Sequence, residues 1–295
     1  MATNPLFERL ALIGFGLIGS SSAHVARSRG LAGEIVACAR SAETRAKALE
    51  LGLAERVEAD PGAAVEGADL VILCAPVGAN AHLAEAIGPR LAAGAIVSDV
   101  GSVKAAVIRD VAPHLPDSVE LVPAHPVAGT EHSGPEAGFA ELFEGRWCIL
   151  TPDENTNPAA VDRVAEFWRR AGSTIEIMDA VHHDRVLAIT SHLPHLIAFN
   201  IVDTVADLEA TTRAEVFKYA AGGFRDFTRI AASDPVMWRD IFMNNREAVL
   251  EMLGRFTEDL TALQRAIRQG DGEGLEEVFT RTRAIRKGVI DAGQA

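Results

Sequence analysis

Short, largely apolar runs recur along the first part of the chain, separated by stretches with helical spacing. The runs are Leu10–Ile13, Ile35–Ala39, Leu70–Ala75, Ala95–Val100, Val119–Ala124, Trp147–Leu150 and Thr174–Met178. Runs that do not alternate with polar residues are typical of a parallel sheet covered on both faces by crossover helices. Because ligands bind beyond the carboxyl ends of such strands, the residues that follow each run are the candidates for chemistry.

The strand pattern stops after Met178, and apolar residues then recur at helical spacing. One long helix is predicted over residues 180–209. Pro194 lies inside it, and we expect a kink there because proline lacks an N–H and clashes with the carbonyl of Thr190. A locally costly proline with a histidine on either side indicates a functional position.

A second long helix is predicted to begin at Asp234-Pro235, an N-cap followed by proline at the first helical position, and to run to Gln269. Glycines within residues 270–274 end it, and a last helix is expected to end near Lys287. These helices carry more apolar surface than one small domain covers, which favours a homodimer formed through them. The predicted fold is α/β, with an N-terminal Rossmann-type parallel-sheet domain at residues 1–179 and an all-α substrate and dimerisation domain at 180–295.

Composition narrows the class of protein. The net charge of −13 argues against a nucleic-acid partner, whose phosphates would be repelled. No uninterrupted apolar stretch of about 18 residues predicts a membrane span, and the N-terminus lacks the basic region and apolar run of a signal peptide. The three cysteines stand singly, without metal-type pairing, so we expect free thiols, no metal site and a cytoplasmic location.

A glycine-rich turn follows the first apolar run. Its residues are Gly14, Phe15, Gly16, Leu17, Ile18 and Gly19. In a dinucleotide-binding turn the first glycine permits the tight turn, the second lets the backbone approach a pyrophosphate, and the third allows close helix–strand packing. The helix that opens there would offer free N–H groups to the phosphates. We therefore expect a dinucleotide cofactor.

The end of the second run bears on which cofactor is used. NAD enzymes usually place an acidic residue there to accept a hydrogen bond from the ribose 2′-hydroxyl. Here the position is Ala39, followed by Arg40 and Ser41, with Arg45 one helical turn further on. A guanidinium with no competing carboxylate suits a 2′-phosphate, which favours NADP over NAD. In the alternative, Arg40 is a solvated loop residue and NAD is used.

Later strand ends supply further candidates. Ala75, Pro76 and Val77 close the third run and would lie beside the cofactor. The hydroxyl of Ser102 could face the nicotinamide ring or cap the following helix, and both can hold at once. The segment Gly222–Arg229 combines glycines, arginines and phenylalanines. It is interpreted either as a turn that recognises a carboxylate or as a surface loop with an internal Arg–Asp pair.

Several segments, in order across most of the chain, together resemble the prephenate/arogenate (cyclohexadienyl) dehydrogenase family of tyrosine biosynthesis. They are Gly14–Gly19, Gly101–Lys104, His125–Glu131 with Ser133-Gly134, Ser191–His195 and Gly222–Arg229. The resemblance implies a Rossmann domain followed by a helical dimerisation domain. It also implies oxidative decarboxylation of prephenate or L-arogenate with hydride transfer to NAD(P)+, giving 4-hydroxyphenylpyruvate or tyrosine.

The same resemblance implies roles for individual residues. His125 matches the catalytic histidine that takes the proton of the ring 4-hydroxyl. Ser102 matches the hydroxyl that hydrogen-bonds the substrate and orients this histidine. Arg229 matches the arginine that binds a substrate carboxylate. Further matches are the pocket residues Ser191, His195 and Gly222, the acidic residues Glu131 and Asp226 that govern access, and Trp238. That tryptophan matches an aromatic that reaches the site from the partner subunit, although interface packing is the commoner role.

Two other functions stay open at this point. A β-hydroxyacid dehydrogenase also joins a Rossmann domain to helices, but it relies on a catalytic lysine in the helical half. In this chain Lys218 and Lys287 both sit among polar neighbours. A non-catalytic NADP-binding sensor would need the glycine turn but would have no use for His125, Ser102 and Arg229 in one pocket.

Overall fold

A parallel six-stranded sheet forms the first half of the chain, in the strand order β3-β2-β1-β4-β5-β6. The computed structural model describes residues 4–291. The strands are β1 (Phe7–Ile13), β2 (Ala32–Cys38), β3 (Arg56–Glu58), β4 (Leu70–Leu73), β5 (Ile96–Asp99) and β6 (Glu120–Val122). This is the doubly wound order, in which the direction of winding reverses between β1 and β4 and ligands bind at that point.

Helices cover both faces of the sheet. They are α1 (Leu17–Ser28), α2 (Ala42–Glu50), α3 (Pro61–Val65), α4 (Asn80–Ile87), α5 (Lys104–Val111) and α6 (Pro158–Arg170). Alternate residues of β1 enter different apolar clusters: Leu10 and Leu12 join one, and Ala11 and Ile13 the other. Burial on both faces explains why the strands are apolar without alternation, and it confirms the predicted parallel sheet.

A smaller three-stranded sheet stands beside the first. It contains β7 (Ala124–Pro126), β8 (Trp147–Leu150) and β9 (Thr174–Ile177), with β7 antiparallel to β8 and β8 parallel to β9. The run predicted as one strand over Val119–Ala124 is therefore divided at Pro123, which has no N–H to give to a ladder. Sequence patterning also missed β3, whose three residues are too few and too polar to form a run.

The second half of the described chain is helical. Its helices are α7 (Ala180–Leu187), α8 (Leu193–Ala206), α9 (Ala210–Tyr219), α10 (Gly222–Thr228), α11 (Pro235–Asn244), α12 (Arg246–Gln269) and α13 (Gly272–Asp291). A π-helical turn at Ala188–His192 joins α7 to α8, directly before Pro194. The distortion expected from the proline is therefore present as a π turn, and the helix ends at Ala206 rather than 209.

Three other boundaries correct the sequence prediction. The helix expected over 234–269 is interrupted at Asn245, whose φ of −107° and ψ of 34° are not helical. The segment Gly222–Arg229 is mostly helix α10 rather than a turn, and its two glycines stand at the start of that helix. The last helix continues to Asp291. The N-cap at Asp234 is confirmed, because its side chain accepts a hydrogen bond from the Met237 N–H at 2.8 Å.

The described chain divides into two compact units, one extending through Arg246 and one beginning at Glu247. One helix among the described residues, Ala180–Ala206, is long and apolar enough to cross a membrane by length and composition. Core helices of soluble proteins pass the same test. This one carries His183, Asp184 and His192 on a buried face, which is the behaviour of a helix packed against protein.

Candidate active site

The glycine turn connects β1 to α1 at the reversal point of the sheet. Gly14 has a φ of +100°, and a Cβ there would lie 2.7 Å from the Cys74 carbonyl carbon, so the turn touches the end of β4. A Cβ on Gly19 would lie 2.3 Å from the Gly14 oxygen, whereas one on Gly16 would meet nothing within 4 Å. Gly16 is also the N-cap of α1 and has no side chain to occupy the free N–H groups. Open space before an uncapped helix suits a pyrophosphate.

The end of β2 presents a cation without an acidic residue at the strand terminus. Ala39 is buried and Arg40 is exposed. Ser41 caps α2, its Oγ accepting from the Thr44 N–H at 3.0 Å. Arg45 donates to the carbonyls of Ala39 and Arg40 at 2.9 and 2.8 Å. Arg45 therefore braces this loop, and Arg40 projects from it.

The turn after β4 contributes a second wall. Ala75 is half-buried, Pro76 exposed and Val77 buried. A Cβ added to Gly78 would lie 2.7 Å from the Asp240 carboxylate, so helix α11 packs closely on this turn. The loop that follows β4 is thereby tied to the helix that carries Trp238.

The start of α5 corrects one alternative for Ser102. The N-cap is Val103, whose apolar side chain cannot cap, and Ser102 lies half-buried one residue earlier. The cap comes from α7 instead: the Asp184 carboxylate accepts from the Lys104 N–H at 2.7 Å and from the Ala105 N–H at 3.0 Å. Ser102 is therefore not the helix cap.

His125 lies on β7, where it is only 6% exposed. Its Nδ1 is 2.9 Å from Nε2 of His183, and Nδ1 of His183 is 2.8 Å from Oδ1 of Asp184. The two imidazole rings meet edge to face, with centroids 5.1 Å apart. Burial lowers the pKa of His125 well below the ordinary histidine value, and neighbouring His183 and Lys104 lower it further. His125 is therefore neutral at physiological pH and able to accept a proton.

A fully buried ion pair lies beneath β7. The Lys104 ammonium donates to the Asp99 carboxylate and, at 2.7 Å, to the carbonyl of Ala124. Asp99 also accepts from the N–H groups of Gly101 at 2.7 Å and Ala124 at 3.1 Å. Burial raises the pKa of Asp99 and lowers that of Lys104, and in each case the partner's charge opposes the shift. This pair fixes the residue that precedes His125.

The helical half supplies a second group of polar and aromatic side chains. His195 stacks on Trp238 of the same chain, with ring centroids 3.7 Å apart and planes 23° apart. Its Nδ1 donates to the Ser191 carbonyl at 2.9 Å, an oxygen at the end of the π turn. Burial lowers the pKa of His195, and the nearby charge of Arg229 contributes to this lowering. Arg229 in turn lies 3.4 Å from the carboxylate of Glu131.

Asn245 joins Asp184 to His192, whose ring faces Trp238 with centroids 6.1 Å apart. Its Nδ2 donates to the Asp184 carbonyl at 2.8 Å and lies 3.1 Å from Nδ1 of His192. His192 is fully buried, and burial lowers its pKa to about 4. The non-helical backbone at Asn245 lets its side chain turn inward. The sequence did not predict this helix break, which brings the Asn245 side chain into contact with Asp184 and His192.

Not all of the predicted site residues meet the others. Asp226 is exposed, and its carboxylate lies 3.8 Å from the guanidinium of its neighbour Arg225, as the surface-pair alternative expected. Gly222 begins α10 and lies near Asp226 rather than near His125. Trp238 is buried against His195 and Phe242 of its own chain.

Comparison with known proteins decides the family. Residues 22–177 match the family model for the nucleotide-binding domain of prephenate dehydrogenase, and residues 179–281 match its dimerisation domain. The chain belongs to the prephenate dehydrogenase family. It is 43% identical to the cyclohexadienyl dehydrogenase of Zymomonas mobilis, over 95% of this chain and 96% of that protein.

Solved structures agree with this assignment. Prephenate dehydrogenase from Aquifex aeolicus, solved in complex with hydroxyphenyl propionate and NAD+, has a TM-score of 0.88 and 34% identity, covering 98% of this chain and 99% of that one. Arogenate dehydrogenase from Synechocystis has a TM-score of 0.79 and 26% identity, over 95% and 99% of the two chains. The Rossmann and helical architecture is therefore that of this family of oxidoreductases.

Sequence reasoning did not single out His183 and Asp184, which form the hydrogen-bonded contacts next to His125. His183 and Asp184 are buried on α7 and bond to His125 and α5 respectively. A signal was present, since His182-His183-Asp184 follows the Asp179 cap within one helical turn of the last strand. Nothing in that spacing, however, reveals which of the two histidines turns inward.

Proposed function

We propose that the enzyme catalyses the oxidative decarboxylation of prephenate, arogenate or both, forming 4-hydroxyphenylpyruvate or tyrosine. The observation that carries the proposal is a buried His125 joined through His183 and Asp184 to Asn245 and His192, whose ring faces Trp238 of the His195–Trp238 stack. A proton acceptor is thus connected through side-chain contacts to a group of aromatic and cationic side chains. The family membership supports the reaction class.

The proposed roles follow from these positions. Nε2 of His125 accepts the proton of the ring 4-hydroxyl as hydride leaves the carbon that bears it. Ser102 orients the hydroxyl, and Arg229 exchanges its long contact with Glu131 for a substrate carboxylate. Loss of CO₂ makes the ring aromatic, so the protein needs to position the substrate and take up a proton more than to activate the leaving group. Ser191, His195, Gly222, Asp226 and Trp238 are proposed to complete the pocket.

Bound NAD(P)+ supplies the hydride acceptor. The open space at Gly16 and the uncapped start of α1 fit its pyrophosphate. We propose that NADP is preferred, because the end of β2 carries exposed Arg40 and Ser41 where a carboxylate would repel a 2′-phosphate. The Aquifex aeolicus relative was solved with NAD+, so the preference is a property to be measured on this chain.

We also propose a homodimer formed through the helical half. Large apolar side chains are exposed on its helices in the described structure: Val181, Ile189, Ile201, Leu250, Leu260, Ile267, Phe279 and Ile285. Exposed apolar side chains in this number are candidates for an interface with a second copy of the chain. The proposed boundary between the two domains is at residues 179/180, and the dimerisation-domain match begins close to it, at residue 179. Free thiols at Cys38, Cys74 and Cys148 are consistent with a cytoplasmic enzyme.

The experiment is a set of hydride-transfer assays with prephenate, arogenate and 3-hydroxyisobutyrate, each with NAD and NADP, followed by identification of the product. We expect activity with one or both cyclohexadienyl acids and none with 3-hydroxyisobutyrate. His125→Asn should bind cofactor normally and lose kcat by roughly 10²–10⁴-fold, the range for removal of a general base. A variant that retains more than half of the wild-type kcat would remove His125 from this role.

A further inference from the structure

Three buried side chains form a hydrogen-bonded series that ends at the proposed base. Asp184 Oδ1 lies 2.8 Å from His183 Nδ1, and His183 Nε2 lies 2.9 Å from His125 Nδ1. His125 is on β7, whereas the other two residues are neighbours on α7. The exposed fractions of His125, His183 and Asp184 are 6%, 0% and 5%, so water does not compete for these contacts.

The series determines which nitrogen of His125 can accept a proton. A carboxylate only accepts, so the hydrogen between Asp184 and His183 belongs to Nδ1 of His183. Neutral His183 then presents a lone pair at Nε2, and the hydrogen shared with His125 must come from Nδ1 of His125. Nε2 of His125 is left with its lone pair. Among the described residues it is not one of the fully buried atoms without a partner, so part of its surface is open.

The first member of the series is itself held in place by α5. The Asp184 carboxylate accepts the N–H groups of Lys104 and Ala105 at the helix N-terminus, at 2.7 and 3.0 Å. These two backbone donors and the positive end of the helix dipole hold the Asp184 carboxylate in place next to His183.

We propose that His183 and Asp184 are positioning residues for the reaction, which fix His125 as the Nδ1–H tautomer and share the charge it acquires. The proposal rests on the role given to His125 above. When the substrate O–H bond breaks, a covalent N–H bond forms at Nε2 of His125. The hydrogen bond that Nδ1–H of His125 donates to His183 then strengthens. Asp184 provides the counter-charge, and the proton leaves from Nε2 to solvent after the product departs.

Other ionisable groups surround the series and are held constant in its test. Lys104 faces it from α5 with its charge paired by Asp99, and His192 faces it from the π turn. The Cys148 thiol on β8 lies beside the His125 backbone, and burial raises the pKa of that thiol well above its usual range. The assays below therefore keep these residues unchanged.

The first test replaces Asp184 with asparagine. The amide oxygen can take the place of Oδ1, which accepts from both the Lys104 N–H and Nδ1–H of His183, so the tautomers are kept and only the negative charge is lost. The charge that His125 acquires then lacks its counter-charge, and kcat should fall by about 10–100-fold while KM changes by less than about threefold. Asp179→Asn is the matched control, since Asp179 caps α7 and, at that cap, touches no histidine ring.

A second pair of variants guards against loss of folding at the α5 cap. In His183→Gln the side-chain oxygen can accept the Nδ1–H of His125, whereas in His183→Leu nothing can. The glutamine variant should therefore retain a kcat at least about tenfold above that of the leucine variant. Thermal unfolding of both variants separates this effect from a general loss of structure.

The readout independent of activity is ¹⁵N NMR of protein labelled at histidine, with the His125 signals assigned from His125→Asn. We expect Nδ1 of His125 to be protonated and Nε2 unprotonated in the wild type and in folded Asp184→Asn, and a mixture of both tautomers in folded His183→Leu. An Nε2–H tautomer in the wild type would overturn the proposal, as would equal kcat values for the glutamine and leucine variants. An enzyme inactive on both cyclohexadienyl acids would instead contradict the proposed function.

Discussion

Replacing Lys104 with methionine tests how the position of His125 is maintained. Lys104 is fully buried, and its ammonium bridges the Asp99 carboxylate and the Ala124 carbonyl next to His125. Methionine has a similar length and is apolar, so the change removes the cation while leaving little empty space. Asp99 would keep its contacts with two backbone N–H groups, at 2.7 and 3.1 Å, but would lose its charge partner.

Two estimates of the loss in the free energy of unfolding give similar values. Removing one member of a buried ion pair typically costs about 3–5 kcal/mol, because the other charge is left unpaired. Asp99 can instead be protonated, which costs about 1.4 kcal/mol for each pH unit above an unfolded pKa near 3.9, or roughly 4 kcal/mol at pH 7. We therefore expect the free energy of unfolding to fall by about 3–5 kcal/mol at neutral pH.

The pH dependence identifies the cause. Burial already raises the pKa of Asp99, and the opposing effect of Lys104 is lost in the variant. A carboxyl whose folded pKa is raised stabilises the fold at low pH and loses that contribution as pH rises through the folded pKa. The difference in the free energy of unfolding between variant and wild type should therefore be smaller at pH 5 than at pH 8, by at most about 1.4 kcal/mol per pH unit.

The assay is urea denaturation at one protein concentration, followed by circular dichroism and by the fluorescence of buried Trp168. Lys47→Met is the control, because Lys47 pairs with Glu50 and Glu136 at the surface and its loss should leave the midpoint almost unchanged. A loss below about 1 kcal/mol, or a loss that does not depend on pH, would refute the account of the buried pair.

Two predictions concern ligands. Arg229→Ala should raise the KM for the substrate by at least about tenfold with a smaller change in kcat, because a charge-assisted contact present throughout the reaction is lost; steady-state kinetics check this, with exposed Arg225→Ala as the control, and an unchanged KM would contradict it. NADP should bind about 10–100-fold more tightly than NAD, and Ala39→Asp combined with Arg40→Ala should reverse the order. Calorimetric titration of both cofactors measures this preference, and equal affinities in the wild type would mean that Arg40 contacts only solvent.

The sheet and the glycine turn were predictable because their causes are local. Strands buried on both faces must be apolar throughout, and Gly14 must adopt a positive φ where a Cβ would strike the end of β4. The same reasoning could not find β3, which is short, or the end of α11 at Asn245. That helix ends because Asn245 turns its amide toward Asp184 and His192, and these partners are remote in the sequence.

The sequence supplies candidate site residues where one residue type is suited to the chemistry. His125, His195 and Arg229 stand out because few side chains can accept a proton or bind a carboxylate. The groups that tune them do not stand out: Asp184 resembles any acidic residue on a helix, and Lys104 resembles any lysine in a first turn. Only the fold shows that both are buried, that Asp184 accepts from the backbone at the start of α5, and that Lys104 donates to the carbonyl beside His125.

At Pro194 the sequence predicts a distortion of the helix, and the structure shows its form. A proline inside a helix removes one N–H and crowds a carbonyl, so the sequence alone shows that the position is costly. In the structure the cost takes the form of a π turn, at whose end the Ser191 carbonyl accepts the His195 ring N–H. That bond fixes the ring that stacks on Trp238, at 3.7 Å. In a regular helix the carbonyl that Pro194 leaves without a donor is that of Thr190, so the proline distorts the turn that carries Ser191 rather than freeing the Ser191 oxygen itself.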